Sequence, residues 1–178
     1  MNIQQNIPLA ELTTFRIGGK ADFYASAESL EDLKQALSFA NEKKVPLLIL
    51  GGGSNLLVSD EGFRGLVIQN KIRGIEFEQS GDYVEMKVGA GEIWDEVVNL
   101  AVSKGLWGIE NLSNIPGFTG AIPVQNVGAY GQEASQVVEA VEAWDLQDTK
   151  LRFFRLKIAG LAIAPVILIP VGKTSLLF

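Results

Sequence analysis

Apolar residues along the first third of the chain follow two spacings, one typical of strands and one typical of helices. Ala21–Ala27 favours a short strand. Ser29 precedes apolar residues at helical spacing, and together with Asp32 it resembles a capping box, so a helix is predicted to begin there. Pro46 ends that helix, because proline removes a backbone donor and cannot continue it.

The rest of the pattern predicts further strands and one more amphipathic helix. The predicted elements are a buried strand at Leu47–Leu50, strands near Leu66–Gln69 and Tyr83–Val88, a helix at Glu92–Lys104 and a strand around Val137–Leu146. Strands mixed with single helices indicate an α+β fold with two lobes that divide near residues 70–75. We therefore expect a first lobe at residues 1–72, a second at 73–157 and a separate apolar tail at 158–178.

Composition narrows the chemistry available to this chain. It has 178 residues, a formal net charge of −6, no cysteine and no histidine. Disulfides, thiolate catalysis, a serine triad and most metal sites are thereby excluded, and no metal is expected. The acidic balance argues against nucleic acid or an anionic membrane as a partner. No secretory signal is visible near the N-terminus, so a cytoplasmic location is expected.

The loop Gly51-Gly52-Gly53-Ser54-Asn55 follows the predicted strand Leu47–Leu50. Glycines let the backbone approach a ligand closely, and consecutive N–H groups can form a nest for a pyrophosphate. The loop lacks the lysine of a Walker loop and the third glycine of a Rossmann fingerprint. An ordinary tight turn is the alternative interpretation.

A second candidate is the long segment Asn111–Gly131, which contains glycines, prolines and amides but no charged residue. Long loops inside a compact domain are usually functional or disordered, and the aliphatic content here disfavours disorder. Gln125 and Asn126 offer hydrogen-bond donors and acceptors, which suits a flat, neutral heterocycle. The alternative is a packed Ω-loop whose amides bond only to its own backbone.

Taken together, four motifs resemble one enzyme family. They are Thr14–Gly19 (TFRIGG), LILGGGSNLLV, GxENLxxIPGxxG and PVQNVGAYGQE. In this order and spacing, from about Asn6 to about Phe153, they resemble the UDP-N-acetylenolpyruvoylglucosamine reductases. The resemblance implies a two-lobed FAD-binding fold of the vanillyl-alcohol oxidase type, to which the family adds a third, substrate-covering lobe.

The resemblance also implies an activity. Family members are FAD-containing oxidoreductases that use NADPH to reduce UDP-N-acetylglucosamine enolpyruvate to UDP-N-acetylmuramate, for cell-wall peptidoglycan synthesis in the cytoplasm. By position, the FAD pyrophosphate would be held by Gly51, Gly52, Gly53, Ser54 and Asn55. The flavin would be lined by Pro116, Gly117, Gly120, Gln125, Asn126 and Gly128. Tyr130 belongs to the motif, but the resemblance assigns it no role.

The family's catalytic arginine, serine and glutamate have no counterpart in this sequence, and neither has the third lobe. We therefore expect no catalytic residue in this chain, weak FAD binding or none, and no turnover by the chain alone. A non-catalytic FAD-binding module or remnant is the alternative function. A different oxidase of the same fold class is disfavoured by the combination of GxENLxxIPG with QNVGAYG.

The tail Ile158–Phe178 carries a single charge, at Lys173, and begins where the family resemblance stops. Four interruptions by glycine and proline argue against a membrane-spanning helix there. Its codons, shifted by one base, can spell Cys-Gly-Phe-Ser-Tyr-Arg-x-Ser-Asn-Phe, which resembles the family's missing catalytic stretch. We expect the tail to be a frameshifted reading that truncates the protein; a divergent buried strand between residues 161 and 169 is the alternative.

Overall fold

A computed structural model describes residues 1–155 and the backbone of residues 176–177. Strands and helices follow one another in the order β1 Ile3–Pro8, β2 Lys20–Ala27, α1 Leu30–Lys43, β3 Leu47–Leu50, β4 Phe63–Asn70, β5 Ile75–Ser80, β6 Tyr83–Val88, α2 Trp94–Ser103, β7 Gly128–Ala129, β8 Gln132–Glu133, β9 Ala140–Asp145, β10 Lys150–Arg155 and β11 Leu176–Leu177. Short 3-10 turns lie between several of them.

The first sheet has the strand order β1-β2-β4-β3. Strand β4 pairs in parallel with both β2 and β3, and β1 joins β2 in antiparallel fashion. Helix α1 crosses from β2 to β3 and packs Leu33 and Ala36 against Leu66 and Ile68 of β4. Parallel strands end at the same edge of a sheet, so the segments that follow β2, β3 and β4 emerge side by side.

Helix α1 begins where the capping signal predicts. The Ser29 hydroxyl accepts a hydrogen bond from the Asp32 N–H at 3.1 Å and donates one to the Asp32 carboxylate at 2.8 Å. Hydrogen bonding to Ser29 is the main reason that the pKa of Asp32 lies below its usual value. The helix ends at Lys43, and Lys44 follows with a left-handed φ of 55°. Such a residue is common directly after a helix.

A second core forms around α2. Trp94, Val97 and Val98 pack against Leu112 and Ile122. The Trp94 indole N–H donates to the Leu112 carbonyl at 2.8 Å, so its one polar atom is satisfied inside the core. The remaining sheets of the described chain are the hairpin of β5 and β6, the hairpin of β7 and β8 and the sheet β10-β9-β11. This packing holds α2 with its N-terminal end beside the uncharged segment.

The α+β class is confirmed, but several strands differ from the prediction. Strand β3 has the predicted bounds, yet only Leu50 is fully buried, because β3 lies at the edge of its sheet. The strand predicted around Val137–Leu146 is shorter, because β9 pairs with β10 only over Ala140–Asp145. Strands β1, β5, β7, β8 and β10 had no predicted counterpart. The division into lobes at residues 1–72 and 73–157 stays a prediction.

Apart from the backbone of β11, the apolar tail at residues 158–178 lies outside the described residues, and so does the prediction made for it. Strand β11 pairs antiparallel with β9, Leu176 opposite Asp145. Within the described chain, neither helix has the length and apolar character that a bilayer crossing requires.

Candidate functional site: the glycine loop and the segment facing it

The glycine loop, residues 51–55, leaves the edge strand β3 and meets the backbone of the uncharged segment. A Cβ atom added at Gly52 would lie 3.0 Å from the Cα of Gly117. A Cβ at Gly53 would lie 2.0 Å from the Leu12 carbonyl oxygen, and the φ of Gly53 is +69°. Side chains at these two positions would therefore push the loop away from both of its neighbours.

Two peptide groups of the loop are held by groups outside it. The Gln69 side-chain N–H donates to the Gly51 carbonyl at 3.1 Å, and the Thr14 backbone N–H donates to the Gly53 carbonyl at 3.0 Å. Gln69 is in turn bonded to the hydroxyl of Tyr24, which donates to its side-chain oxygen at 2.7 Å. Burial raises the pKa of Tyr24 above its usual value, so this hydroxyl keeps its proton at neutral pH.

The last two residues of the loop reach the uncharged segment with their side chains. The Ser54 hydroxyl donates to the Pro116 carbonyl at 3.0 Å, and the Asn55 amide donates to the side-chain oxygen of Gln125. The two sequence-predicted candidate regions are thus joined directly.

The backbone N–H groups of residues 52 to 55 form a row of free donors. No acceptor among the described residues bonds to any of them, and Gly53 is buried. Buried backbone donors are nearly always paired, so the free N–H of the buried Gly53 calls for an external acceptor, whereas the N–H of the exposed Asn55 is open to water. Consecutive backbone N–H groups form a typical anion-binding nest.

On the other side, the uncharged segment is fixed against the start of α2. The Trp94 N–H donates to the Gly117 carbonyl at 3.0 Å, and the Thr119 N–H donates to the Glu92 carbonyl at 2.9 Å. The Gly120 N–H donates to the Ala90 carbonyl at 2.9 Å, and a Cβ at Gly120 would lie 2.7 Å from that of Ala90. The segment is therefore anchored on one side by α2 and on the other by the glycine loop.

A cavity of about 230 Å³ opens between the two loops. All ten lining residues are uncharged: Ser54, Asn55, Ile115, Pro116, Gly117, Phe118, Ala121, Ile122, Gln125 and Val127. Pockets that enclose a drug-sized ligand measure roughly 300–1,000 Å³, so this one accommodates part of a dinucleotide. The free backbone donors suit a pyrophosphate. The apolar wall and the close glycine backbones suit an aromatic ring beside it. Within the described residues, no group of carboxylates could hold a metal ion.

The structure brings together some of the predicted site residues and separates others. Ser54 and Asn55 of the glycine loop line the cavity together with Pro116, Gly117 and Gln125, whereas the three loop glycines are not part of the lining. Gly120 lies against Ala90 instead. The remaining two are not part of the lining: Gly128 begins β7, and Asn126 lies two residues before that strand.

Asn126 bonds to residues at the end of β8 and just after it. Its amide N–H donates to the Glu133 carboxylate at 2.8 Å, and its side-chain oxygen accepts from the Ser135 N–H at 2.9 Å. Both ends of the side chain thereby bond to residues that follow the uncharged segment. The predicted place of Asn126 at the flavin stays a prediction.

Sequence reasoning missed the residues that support the loop from behind. Gln69 and Tyr24 come from β4 and β2, where they were counted only as strand positions. The available signal was a polar residue at the end of an otherwise apolar strand, Leu66–Gln69. Phe118 also lines the cavity. It was not selected from the sequence, because the motif that contains it was interpreted through its glycines.

The comparisons with known proteins agree with this geometry. The family model described as "FAD binding domain" matches residues 21–153. The chain belongs to this FAD-binding domain family. FAD is therefore the cofactor of this family. The free backbone donors and the apolar lining of the cavity are accordingly compared with the chemical groups of FAD.

Among curated proteins, the chain is similar to the UDP-N-acetylenolpyruvoylglucosamine reductase of Saccharopolyspora erythraea. The two are 47% identical over 154 residues, which is 86% of this chain and 42% of the relative. The chain thus spans less than half the length of this curated relative.

Solved structures support the two-lobed FAD-binding fold. The UDP-N-acetylenolpyruvylglucosamine reductase of Thermus caldophilus aligns with a TM-score of 0.68 and 30% identity, over 87% of this chain and 53% of that one. A VAO-type flavoprotein from Myceliophthora thermophila aligns with a TM-score of 0.56 and 18% identity, over 84% of this chain and 31% of that one. The second likeness is one of fold alone, and it confirms the expected vanillyl-alcohol oxidase type.

Proposed function

We propose that this chain is the FAD-binding part of an NADPH-dependent reductase that converts UDP-N-acetylglucosamine enolpyruvate to UDP-N-acetylmuramate, in the cytoplasmic stage of peptidoglycan synthesis. The observation that carries the proposal is that no acceptor among the described residues bonds to the N–H groups of residues 52–55, in a loop whose last two residues line a cavity together with Pro116–Phe118. Its motifs are shared with relatives that bear the reductase name.

In this proposal the glycine loop binds the pyrophosphate of FAD. The N–H groups of residues 52–55 donate to the phosphate oxygens, and Gly51 places the loop at the edge of the sheet. No lysine or arginine is needed, because several backbone donors acting together offset a charge that is shared over the two phosphates. The lining residues are all uncharged, in agreement with this role.

The uncharged segment would hold the flavin ring. Pro116, Gly117 and Gln125 line the cavity, and the Gln125 side chain retains its amide N–H groups after accepting from Asn55. Gly120, Asn126 and Gly128 contribute indirectly, by shaping the segment that carries those three. When bound, FAD supplies the hydride-transfer chemistry; the residues of this chain bind it, orient it and exclude water from it.

A titration of the purified chain with FAD tests the proposal, and Gly52→Ala is the informative variant. Its Cβ would press on Gly117 at 3.0 Å, so FAD should bind at least several-fold more weakly. Gly51→Ala is the matched comparison, since its Cβ meets Phe118 at an ordinary 3.6 Å and should weaken binding less. Equal affinity of all three proteins would contradict the proposed FAD site. The proposal requires at least weak binding, so the titration extends to high FAD concentration, and no binding by the unmodified chain there would also contradict the site.

A second assay separates a working reductase from a non-catalytic FAD-binding module. NADPH oxidation is followed with the FAD-loaded chain, with and without the UDP-enolpyruvyl sugar. Stimulation by the sugar supports the reductase. FAD binding without stimulation supports the prediction that this chain does not turn over alone.

A further inference from the structure

A chain of two hydrogen bonds runs from the middle of the first sheet to the glycine loop. The Tyr24 hydroxyl donates to the Gln69 side-chain oxygen at 2.7 Å, and the Gln69 side-chain N–H donates to the Gly51 carbonyl at 3.1 Å. Tyr24 and Gln69 are 8% and 7% exposed, so water competes little for either bond. Tyr24 lies on β2 and Gln69 on the neighbouring strand β4.

The direction of each bond follows from the chemistry of the groups. The Gly51 carbonyl can only accept, so the Gln69 amide must turn its NH₂ group toward it. The Gln69 oxygen then faces Tyr24, whose hydroxyl must donate. This assignment leaves one orientation for the glutamine amide, and Tyr24 is the group that fixes it.

Holding the Gly51 carbonyl also fixes the next amide. In a trans peptide group the C=O and the following N–H point in opposite directions, and the peptide groups of the described chain are trans. The Gly52 N–H therefore points away from Gln69. A second peptide group of the loop is oriented in the same way. The Thr14 N–H bonds to the Gly53 carbonyl and so fixes the direction of the Ser54 N–H.

We propose that Gln69, oriented by Tyr24, is a positioning residue that fixes the Gly52 N–H in the direction needed to bind an anionic diphosphate. The inference rests on the proposed FAD site and deepens it, because it names the groups that pre-organise the loop. A pre-organised donor binds its ligand with less loss of conformational freedom. Neither side chain touches the cavity, so both act through the Gly51 peptide group.

A purely structural role for Gln69, in which it only satisfies a buried carbonyl, predicts different behaviour. In that case its loss would lower the free energy of unfolding without changing the mobility of Gly52 relative to the rest of the fold. The test therefore needs one readout of the loop itself and one control that destabilises β4 nearby.

The experiment uses the full chain with Gln69→Met, which keeps the length of the side chain and removes its donor, and with Tyr24→Phe. Ile68→Val is the matched control: Ile68 is a fully buried neighbour on β4 that does not contact the loop's hydrogen bonds. Two quantities are measured for each protein, the ¹⁵N order parameter of Gly52 without ligand and the dissociation constant for FAD. ADP, which carries a diphosphate without a flavin, is titrated as a second probe.

We expect Gln69→Met to lower the Gly52 order parameter and to weaken both FAD and ADP about fivefold to tenfold, the value of one net hydrogen bond. Tyr24→Phe should lower the Gly52 order parameter and the ligand affinities by less. When Tyr24→Phe is added to Gln69→Met, neither quantity should fall further. Ile68→Val should leave both quantities near those of the unmodified chain. Unchanged Gly52 mobility and affinity in Gln69→Met, or equal losses in Ile68→Val, would overturn the inference.

The two proposals can fail separately. If the unmodified chain binds no FAD, the proposed function is wrong, while the order parameter still tests the hydrogen-bond relay. If Gln69→Met does not fold, Tyr24→Phe decides: a Gly52 order parameter equal to that of the unmodified chain would then refute the relay.

Discussion

The Ser54 hydroxyl donates a hydrogen bond to the Pro116 carbonyl at 3.0 Å, across 62 residues of sequence. This bond ties the glycine loop of the first sheet to the segment held by α2. The spacing between the two loops, and thus the width of the cavity, depends on it.

Replacing Ser54 with alanine should loosen that connection. We expect a loss of about 1 kcal/mol in the free energy of unfolding, the net value of one such hydrogen bond, together with weaker FAD binding. Urea denaturation and FAD titration measure the two effects. Ser103→Ala is the control, since it removes a hydroxyl that bonds within α2 to Leu100; a similar loss of FAD affinity there would count against the special role of Ser54.

Gly53→Ala tests how tightly the loop is enclosed. The new methyl group would combine a φ of +69° with a 2.0 Å approach to the Leu12 carbonyl. Gly81→Ala has a similar φ of +62° but open space around it, so it reports the backbone strain alone. We expect Gly81→Ala to cost about 1–2 kcal/mol, and Gly53→Ala to cost clearly more, by chemical denaturation. Equal costs would mean that the loop can move away from Leu12.

The alkaline stability of the fold should depend on Tyr24. Burial raises the pKa of this hydroxyl above its usual value near 10. The folded chain therefore keeps the proton to higher pH than the unfolded chain does, and the resulting stability is lost as pH rises from about 10 through the raised value. Tyr24→Phe should show a shallower decline over this window when the free energy of unfolding is measured against pH. Parallel curves for the two proteins would show that Tyr24 titrates as an ordinary tyrosine.

Tyr130 lies at the tip of the β7–β8 hairpin, 91% exposed and with a φ of 52°. Gly131 follows with a φ of +81°, so both central residues of the turn have positive φ, as in a type I′ turn. Asparagine accepts this conformation more readily than tyrosine. Tyr130→Asn should therefore stabilise the fold by roughly 0.5–1 kcal/mol in thermal denaturation and leave FAD binding unchanged. A loss of FAD affinity would give the ring a role in ligand binding.

The parts of this fold that were predictable from sequence are those with local causes. The start of α1 follows from Ser29 and Asp32, three residues apart, and the turn before β6 follows from Gly81. Strand β1 escaped prediction because Gln4 and Gln5, at its centre, are exposed and give it no apolar repeat. Pairing with β2 forms that strand, and pairing partners are not visible in a single sequence.

The candidate site divides in the same way. The glycine loop and the uncharged segment could be identified from their composition, because each is unusual on its own. That Gly52 meets Gly117, or that Gln69 lies behind Gly51, could not be predicted, since these contacts depend on the sheet order β1-β2-β4-β3. Asn126 bonds to Glu133 and Ser135, which its composition-based assignment did not indicate, and its place at the flavin stays a prediction.

The position of β3 has a consequence for how the protein is made. In the described chain, β3 has a single sheet neighbour, β4, which follows it in the sequence. On the ribosome, the glycine loop therefore emerges before the strand that holds it, and Gln69 and then Pro116 must be synthesised before their bonds to Gly51 and Ser54 can form. A long-range contact of this kind forms late, after its loop-closure cost has been met. A nascent chain paused before residue 69 would carry all five residues of the loop without the geometry that the assembled sheet imposes on them.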